Sequence, residues 1–201
     1  MKIIGLTGPT GAGKSVASAI FEKHGIPAIN ADEVYHALLE SNEEMTSELI
    51  SAFGPKVAPN SKIDRKRLAA AVFGQKNTPA LLHTLNTITH KYVMAEMREL
   101  VQKIKQSGAR AVLIDAPQLF EAHLDAECDL TVCVLAPQSA RLERIVQRDG
   151  ITEDAAQKRM DAQKSDDFFR RSCHFILIND GDLASLEAQI LRFLENTGLG
   201  V

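Results

Sequence analysis

The stretch "GPTGAGKS" carries residues that can grip phosphate, because Gly8, Gly13, Lys14 and Ser15 satisfy the pattern G-x-x-x-x-G-K-[ST]. Glycines let the backbone turn back, so that successive N–H groups from Gly8, Gly11, Ala12 and Gly13 through Val16 point inward at phosphate oxygens. A helix beginning near Lys14 adds unpaired N–H groups and the positive end of its dipole. Lys14 supplies a mobile ammonium for the outer phosphates, and the Ser15 hydroxyl suits a Mg²⁺ site. The bare pattern also arises by chance. Here the run "KIIGLT" before it reads as a strand and the residues after it as a helix, which is the context the chemistry requires. The implied ligand is a nucleoside triphosphate.

Other residues have a place in phosphoryl transfer and also a plainer use. Asp32 and Glu33 follow the second strand candidate and open a helix. In a parallel sheet, neighbouring strand ends share one edge, which puts Asp32 within reach of the phosphate loop. A carboxylate there can orient an attacking hydroxyl or take its proton, and it can equally cap its helix, as Asn30 can. Asp115 ends the third strand candidate, where an acid holds Mg²⁺ directly or through water, or forms a turn. Arg141, Arg144 and Arg148 share one helical face, which suits a polyphosphate, or a solvated surface neutralised by Glu143 and Asp149. The polar segment that follows, "TEDAAQKRMDAQKSDDFFRRS", has the composition of a helical lid that excludes water.

The elements that must position these groups alternate along the chain. Strand candidates are "KIIGLT", Ile26 to Ile29, "RAVLID", "LTVCVLA" and "HFILI". Helical spacing starts at Lys14, runs in two stretches from Asp32 to about Ala52, and resumes over Arg65 to Phe73, Pro79 to about Ile88 and His90 to Gln106. A further helix follows Pro137, and Asp182 to Leu194 closes the series. The stretch "GPKVAPNSK" reads as a loop. Uncharged, β-rich strands between helices predict a mainly parallel sheet covered on both faces.

With 201 residues, 45% of them apolar, the chain makes one large domain or a core carrying an insertion. A net charge of −3 and the absence of a basic run argue against nucleic acid as partner. Cys128, Cys133 and Cys173 lack C-x-x-C spacing, so neither disulfides nor zinc are expected. No apolar run approaches the roughly 20 residues that span a bilayer, and the opening stretch is too short for a signal peptide. The expectation is a cytoplasmic protein without a membrane partner.

Taken together, the motifs resemble those of the dephospho-CoA kinase family along nearly the whole chain. They fall in order as the loop Gly8 to Ser15, "INADEVYHALLE", "AFG" near Phe53, "IDRKRLAAAVF", "DAPQLFE" at Asp115, "RLERIVQRDG" at Arg141, "AAQ" ending at Gln163, and "ILINDG". The resemblance implies a P-loop α/β three-layer sandwich with a five-stranded parallel sheet. It implies a core over 1–30, 108–136 and 172–201, an acceptor-binding helical region over about 31–107, and a lid over about 137–171. It also implies ATP and Mg²⁺ as cofactors and dephospho-CoA as the small-molecule substrate, phosphorylated on its ribose 3′-hydroxyl to give coenzyme A and ADP.

By the same resemblance Asp32 takes the catalytic position and Arg144 stabilises the transferring phosphoryl, with Lys14 completing the catalytic set. His90 lies on the acceptor side, Asn179 near adenine, Arg148 among the ATP contacts, and Ser15 and Asp115 at the metal. The chain departs from the family pattern in the loop, where Pro9, Thr10 and Ala12 replace usual residues. It departs again at Asn30, in place of the first of two aspartates, and at Lys91, in place of proline after His90. The alternatives are a kinase for another small hydroxyl or nucleotide acceptor, and a P-loop protein that senses ATP without catalysis.

Overall fold

The structure is a computed structural model and describes residues 1–74 and 78–200. Its strands form on short runs rich in apolar and β-branched residues, with charge only at the ends, Lys2 and Asp115. These are β1 (Lys2–Thr7), β2 (Ala28–Asn30), β3 (Ala111–Asp115), β4 (Leu130–Leu135) and β5 (Phe175–Ile178). They make one sheet in the order β2-β3-β1-β4-β5. Parallel ladders pair β1 with β3 and β4, and β4 with β5, with Leu6 opposite Asp115 and Thr7 opposite Cys133. The chain reverses its direction of travel across the sheet at β1, and ligands of open α/β sheets bind beyond the strand ends at such a switch point.

Helices are α1 (Lys14–Lys23), α2 (Ala31–Ser41), α3 (Glu43–Phe53), α4 (Arg65–Phe73) and α5 (Thr78–Gln106). The series continues with α6 (Gln138–Asp149), α7 (Glu153–Asp161), α8 (Asp166–Ser172) and α9 (Leu183–Asn196). Both sheet faces are covered, and β4 shows how. Val132 and Val134 pack with residues of α1 and α9, whereas Cys133 and Leu135 pack with Phe169 of α8. Alternate side chains of a strand point to opposite faces, so a run apolar at every position requires a layer on each side. Phe193 meets Phe21 edge-on at 5.7 Å and Phe175 at 4.8 Å, which locks α9 to α1 and β5. The expected three-layer sandwich with a five-stranded parallel sheet is the fold observed.

By contacts the chain forms two compact units. One comprises Met1–Ile29 and the chain from Lys103 onward, and the other is Asn30–Gln102. The segment expected as a lid, α6 to α8, groups with the sheet unit. There α6 and α7 close over Ile145, Ala156 and Met160, and Thr152 and Ser165 cap α7 and α8.

The helical unit departs from expectation at one place. Two helices, Pro79 to Ile88 and His90 to Gln106, are in fact the single helix α5. No glycine or proline interrupts it after Pro79, and the hydroxyls of Thr84, Thr87 and Thr89 donate to the carbonyls four residues back. A helix proceeds through β-branched residues when nothing removes a backbone donor. In the same unit α2, α3 and α4 are capped by Asn30, Asn42 and Asp64, and α2 and α3 carry acids in their first turns. The first turn of α4 instead carries Arg65, Lys66 and Arg67.

Candidate phosphate loop and acceptor residues

Residues 8 to 13 connect β1 to α1, and their backbone is held from behind by side chains. The Thr10 carbonyl accepts from Arg141 Nε at 3.0 Å, and the Gly11 carbonyl from an Arg144 guanidinium nitrogen at 3.1 Å. The Ala12 carbonyl accepts from Asn179 Nδ2 at 2.8 Å and the Thr10 N–H donates to Gln163 Oε1 at 2.8 Å. Three successive carbonyls are thus tied by side chains. Of the N–H groups those of Thr10 and Ala12 are also used, the latter donating to the Pro9 carbonyl at 3.1 Å, which leaves the anion to the amides of Gly11, Gly13, Lys14 and Ser15. Such a concave nest of amides is an anion site.

Two glycines make this possible. Gly11 has φ 77° and Gly13 has φ 92°, a left-handed conformation that other residues rarely adopt. A Cβ on Gly11 would stand 2.7 Å from the Arg141 carbonyl oxygen, and one on Gly13 would collide with the Asn179 amide. A Cβ on Gly8 would likewise clash with the Val134 carbonyl oxygen. Ala12 is buried, whereas Ser15 and Val16 are exposed on the first turn of α1. No side chain caps that helix, and Gly13 stands at its N-cap.

Lys14 extends from α1 to an ion pair with Asp115. Asp115 is 3% exposed at the end of β3, and the next residue, Ala116, donates its N–H to the Leu6 carbonyl at 3.0 Å. The ladder between β1 and β3 therefore sets a carboxylate beside the loop's ammonium. Among the described residues no group of three or more His, Cys, Asp or Glu side chains can cage a metal ion. Asp115 and Ser15 are oxygen donors of the kind that would suit Mg²⁺, a cation that is generally bound by one or two protein oxygens beside phosphate and water.

The three arginines of α6 part company. Arg141 is 6% exposed, and besides Thr10 it holds Asp166 of α8 at 3.0 Å. Burial pulls its guanidinium below the ordinary value, and Asp166 opposes that shift. Arg144 reaches the loop. Arg148 turns instead to Asp149, with nitrogen–oxygen distances of 2.7 and 3.0 Å, and Arg159 joins the same carboxylate. These contacts hold the Asp149 carboxyl below its usual range.

Within the helical unit, the cap of α2 is Asn30, whose side-chain oxygen accepts from the N–H groups of Asp32 at 3.0 Å and Glu33 at 3.3 Å. Asp32 is exposed in the first turn and, with His36, lines an open cavity of about 340 Å³. His90 is half-buried in α5.

The family model for dephospho-CoA kinase matches residues 2–185. This chain belongs to the dephospho-CoA kinase family. It is 32% identical to the dephospho-CoA kinase of Corynebacterium glutamicum, covering 95% of this chain and 94% of that protein. It is also 32% identical to the dephospho-CoA kinase of Arabidopsis thaliana, covering 96% of this chain and 83% of that protein. A solved structure from Thermus thermophilus superposes with TM-score 0.81 at 28% identity, covering 98% of this chain and 97% of that one. The Campylobacter jejuni dephospho-CoA kinase shares the fold, with TM-score 0.62 at 24% identity over 97% of this chain and 96% of that one. Among the described residues no helix is long and apolar enough to cross a membrane.

Two departures from the dephospho-CoA kinase pattern have local reasons. Asn30 serves as a cap, for which asparagine equals aspartate. Lys91 pairs with Glu48 at 2.5 Å, and the Tyr92 hydroxyl donates to the same carboxylate at 2.8 Å, a clasp between α5 and α3. Sequence reasoning did not assign Asn179 and Gln163 to loop carbonyl and N–H, nor Arg141 to Thr10. Helical spacing signals a shared face, but a buried contact to a loop over a hundred residues away leaves no local signature.

Proposed function

We propose that the chain transfers the terminal phosphoryl group of ATP to the ribose 3′-hydroxyl of dephospho-CoA, yielding coenzyme A and ADP. What chiefly supports this reading is the pinned loop from Gly8 to Ser15, with Lys14 and Arg144 beside it, in a chain matched by the family over residues 2–185. Loop N–H groups and Lys14 hold the outer phosphates. The acceptor oxygen bonds to the γ-phosphorus, the bridge to the β-phosphate breaks, and ADP leaves with the electron pair. Asp32 orients the hydroxyl and takes its proton, help commonly worth about 10²–10⁴ in rate. Arg144 meets the negative charge spread over the transferring group.

Ser15 and Asp115 would hold Mg²⁺, which supplies charge neutralisation of the phosphates when bound. On this reading the segment with Asn179 faces adenine and His90 serves the acceptor, while Arg148 reaches ATP only by releasing Asp149. The deciding experiment is ADP release by purified protein. Turnover with dephospho-CoA and none with nucleoside monophosphates supports the assignment. Turnover with another acceptor alone, or ATP binding without any turnover, overturns it.

A further inference from the structure

Resting on the assignment of the loop to ATP, we propose that Cys133 and Cys173 form a reversible dithiol–disulfide pair, a modification site through which a peroxide weakens ATP binding. The two cysteines stand far apart in the sequence, and the sheet brings them together. Cys133 lies in β4 opposite Ile176 of β5, and Cys173 ends α8 just ahead of that strand. There it packs against the cluster of Cys133, Leu135 and Phe169. Both thiols are free.

Their surroundings give them different parts. Cys173 is half-buried and Cys133 wholly buried, so a dissolved oxidant meets Cys173 first. A hydrogen bond from Cys133 holds the Cys173 thiol below its ordinary value, burial opposes that shift, and Thr131 adds a second hydrogen bond in its favour. Cys133 is pushed up, first by the same hydrogen bond and then by burial. An accessible sulfur with thiolate character beside a protected second thiol suits a sulfenic acid and its resolving partner. Cys128 lacks that character, since burial pushes its thiol up to about 12.

Hydrogen peroxide is the oxidant. The Cys173 thiolate attacks one peroxide oxygen, the O–O bond breaks, and the departing hydroxide takes up the proton that Cys173 released. Cys133 sulfur then attacks the sulfenic sulfur, and its proton leaves with the hydroxyl group as a second water. Two electrons pass from the thiols to the peroxide as the S–S bond closes.

Closure brings the sulfurs inside van der Waals contact, which draws the end of α8 toward β4. The first turn of α8 carries Asp166, which holds Arg141 at 3.0 Å, and Arg141 holds the Thr10 carbonyl of the loop at 3.0 Å. Cys133 also lies opposite Thr7, the residue before Gly8. A shift of α8 therefore reaches the loop through a single ion pair.

The test compares the intact protein before and after peroxide. Titration should find the three free thiols reduced to one, peptide mapping should link Cys133 to Cys173, and dithiothreitol should reverse both. ATP affinity by calorimetry should fall about tenfold on oxidation, the scale of one charge-assisted hydrogen bond, and recover on reduction. Cys173→Ser should abolish both responses, and Cys128→Ser neither. Three surviving thiols, a link through Cys128, or a link between Cys133 and Cys173 that leaves ATP affinity unchanged overturns the proposal and leaves the parent assignment standing. Reduced wild type that binds no ATP overturns the parent assignment and this one with it.

Discussion

The candidate phosphate loop and the proposed acceptor residues are built in opposite ways. Around the loop, Arg141, Arg144 and Asn179 each give a donor to a loop carbonyl, and Asp115 holds Lys14 from a buried strand end. In the helical unit Asp32 stands exposed and His90 half-buried. A polyphosphate is recognised by many fixed amides, so its site profits from a backbone tied in place before the ligand arrives. An acceptor hydroxyl needs one carboxylate and a surface shaped to its own substrate, which a few side chains on helices supply. The loop is therefore expected to fail through structure, and the acceptor residues through kinetics.

The contrast breaks most sharply at Asp32. Asp32→Asn should lower kcat by about 10²–10⁴ while ATP affinity by calorimetry and the melting temperature stay unchanged. Equal turnover would remove the carboxylate from the reaction. Gly13→Ala should abolish measurable ATP binding and also lower stability, by about 1–3 kcal/mol for a strained left-handed residue, because its methyl group meets the Asn179 amide. A variant that binds ATP normally would show that the loop yields more than its packing implies.

Arg141→Ala should cost about 1.5–3 kcal/mol in chemical denaturation, the worth of hydrogen bonds from a charged group, with a weakened KM for ATP and an unchanged KM for the acceptor. The smallest effect is expected at the clasp of Lys91 with Glu48. Hydrogen bonds from Lys91 and Tyr92 hold the Glu48 carboxyl below its ordinary value of 4.5. A depressed folded pKa means that the stabilisation is full above that value and is lost as pH falls through the lowered one. Lys91→Met should lower the melting temperature slightly at neutral pH, and the difference from wild type should vanish in acid.

Much of the sheet unit was legible because its signals are local. The three inner strands β1, β3 and β4 are short apolar runs buried on both faces over most of their length, and the glycine spacing between Gly8 and Gly13 is itself the loop's geometry. Less could be read in the arginines of α6. Their spacing placed them on one face, yet Arg148 finds Asp149 beside it while Arg141 is drawn inward by Thr10 and Asp166. Which partner an arginine takes depends on chain that returns from elsewhere. The division of α5 into two helices failed for a related reason, since a break needs a residue that removes a donor and none stands between Ile88 and His90. The capping of α2 by Asn30 leaves Asp32 clear of that duty, which the sequence, offering both residues at one helix start, left open.

Positions 13 and 179 occupy the same small volume, one by lacking a side chain and the other by filling the gap with its amide. Neither can drift alone during descent. A larger residue at the first demands a smaller one at the second, which then forfeits its grip on the carbonyl of Ala12. The two sites should thus change rarely and in concert, a linkage that comparison of many relatives would reveal as covariation between the glycine loop and the residue just after the final strand.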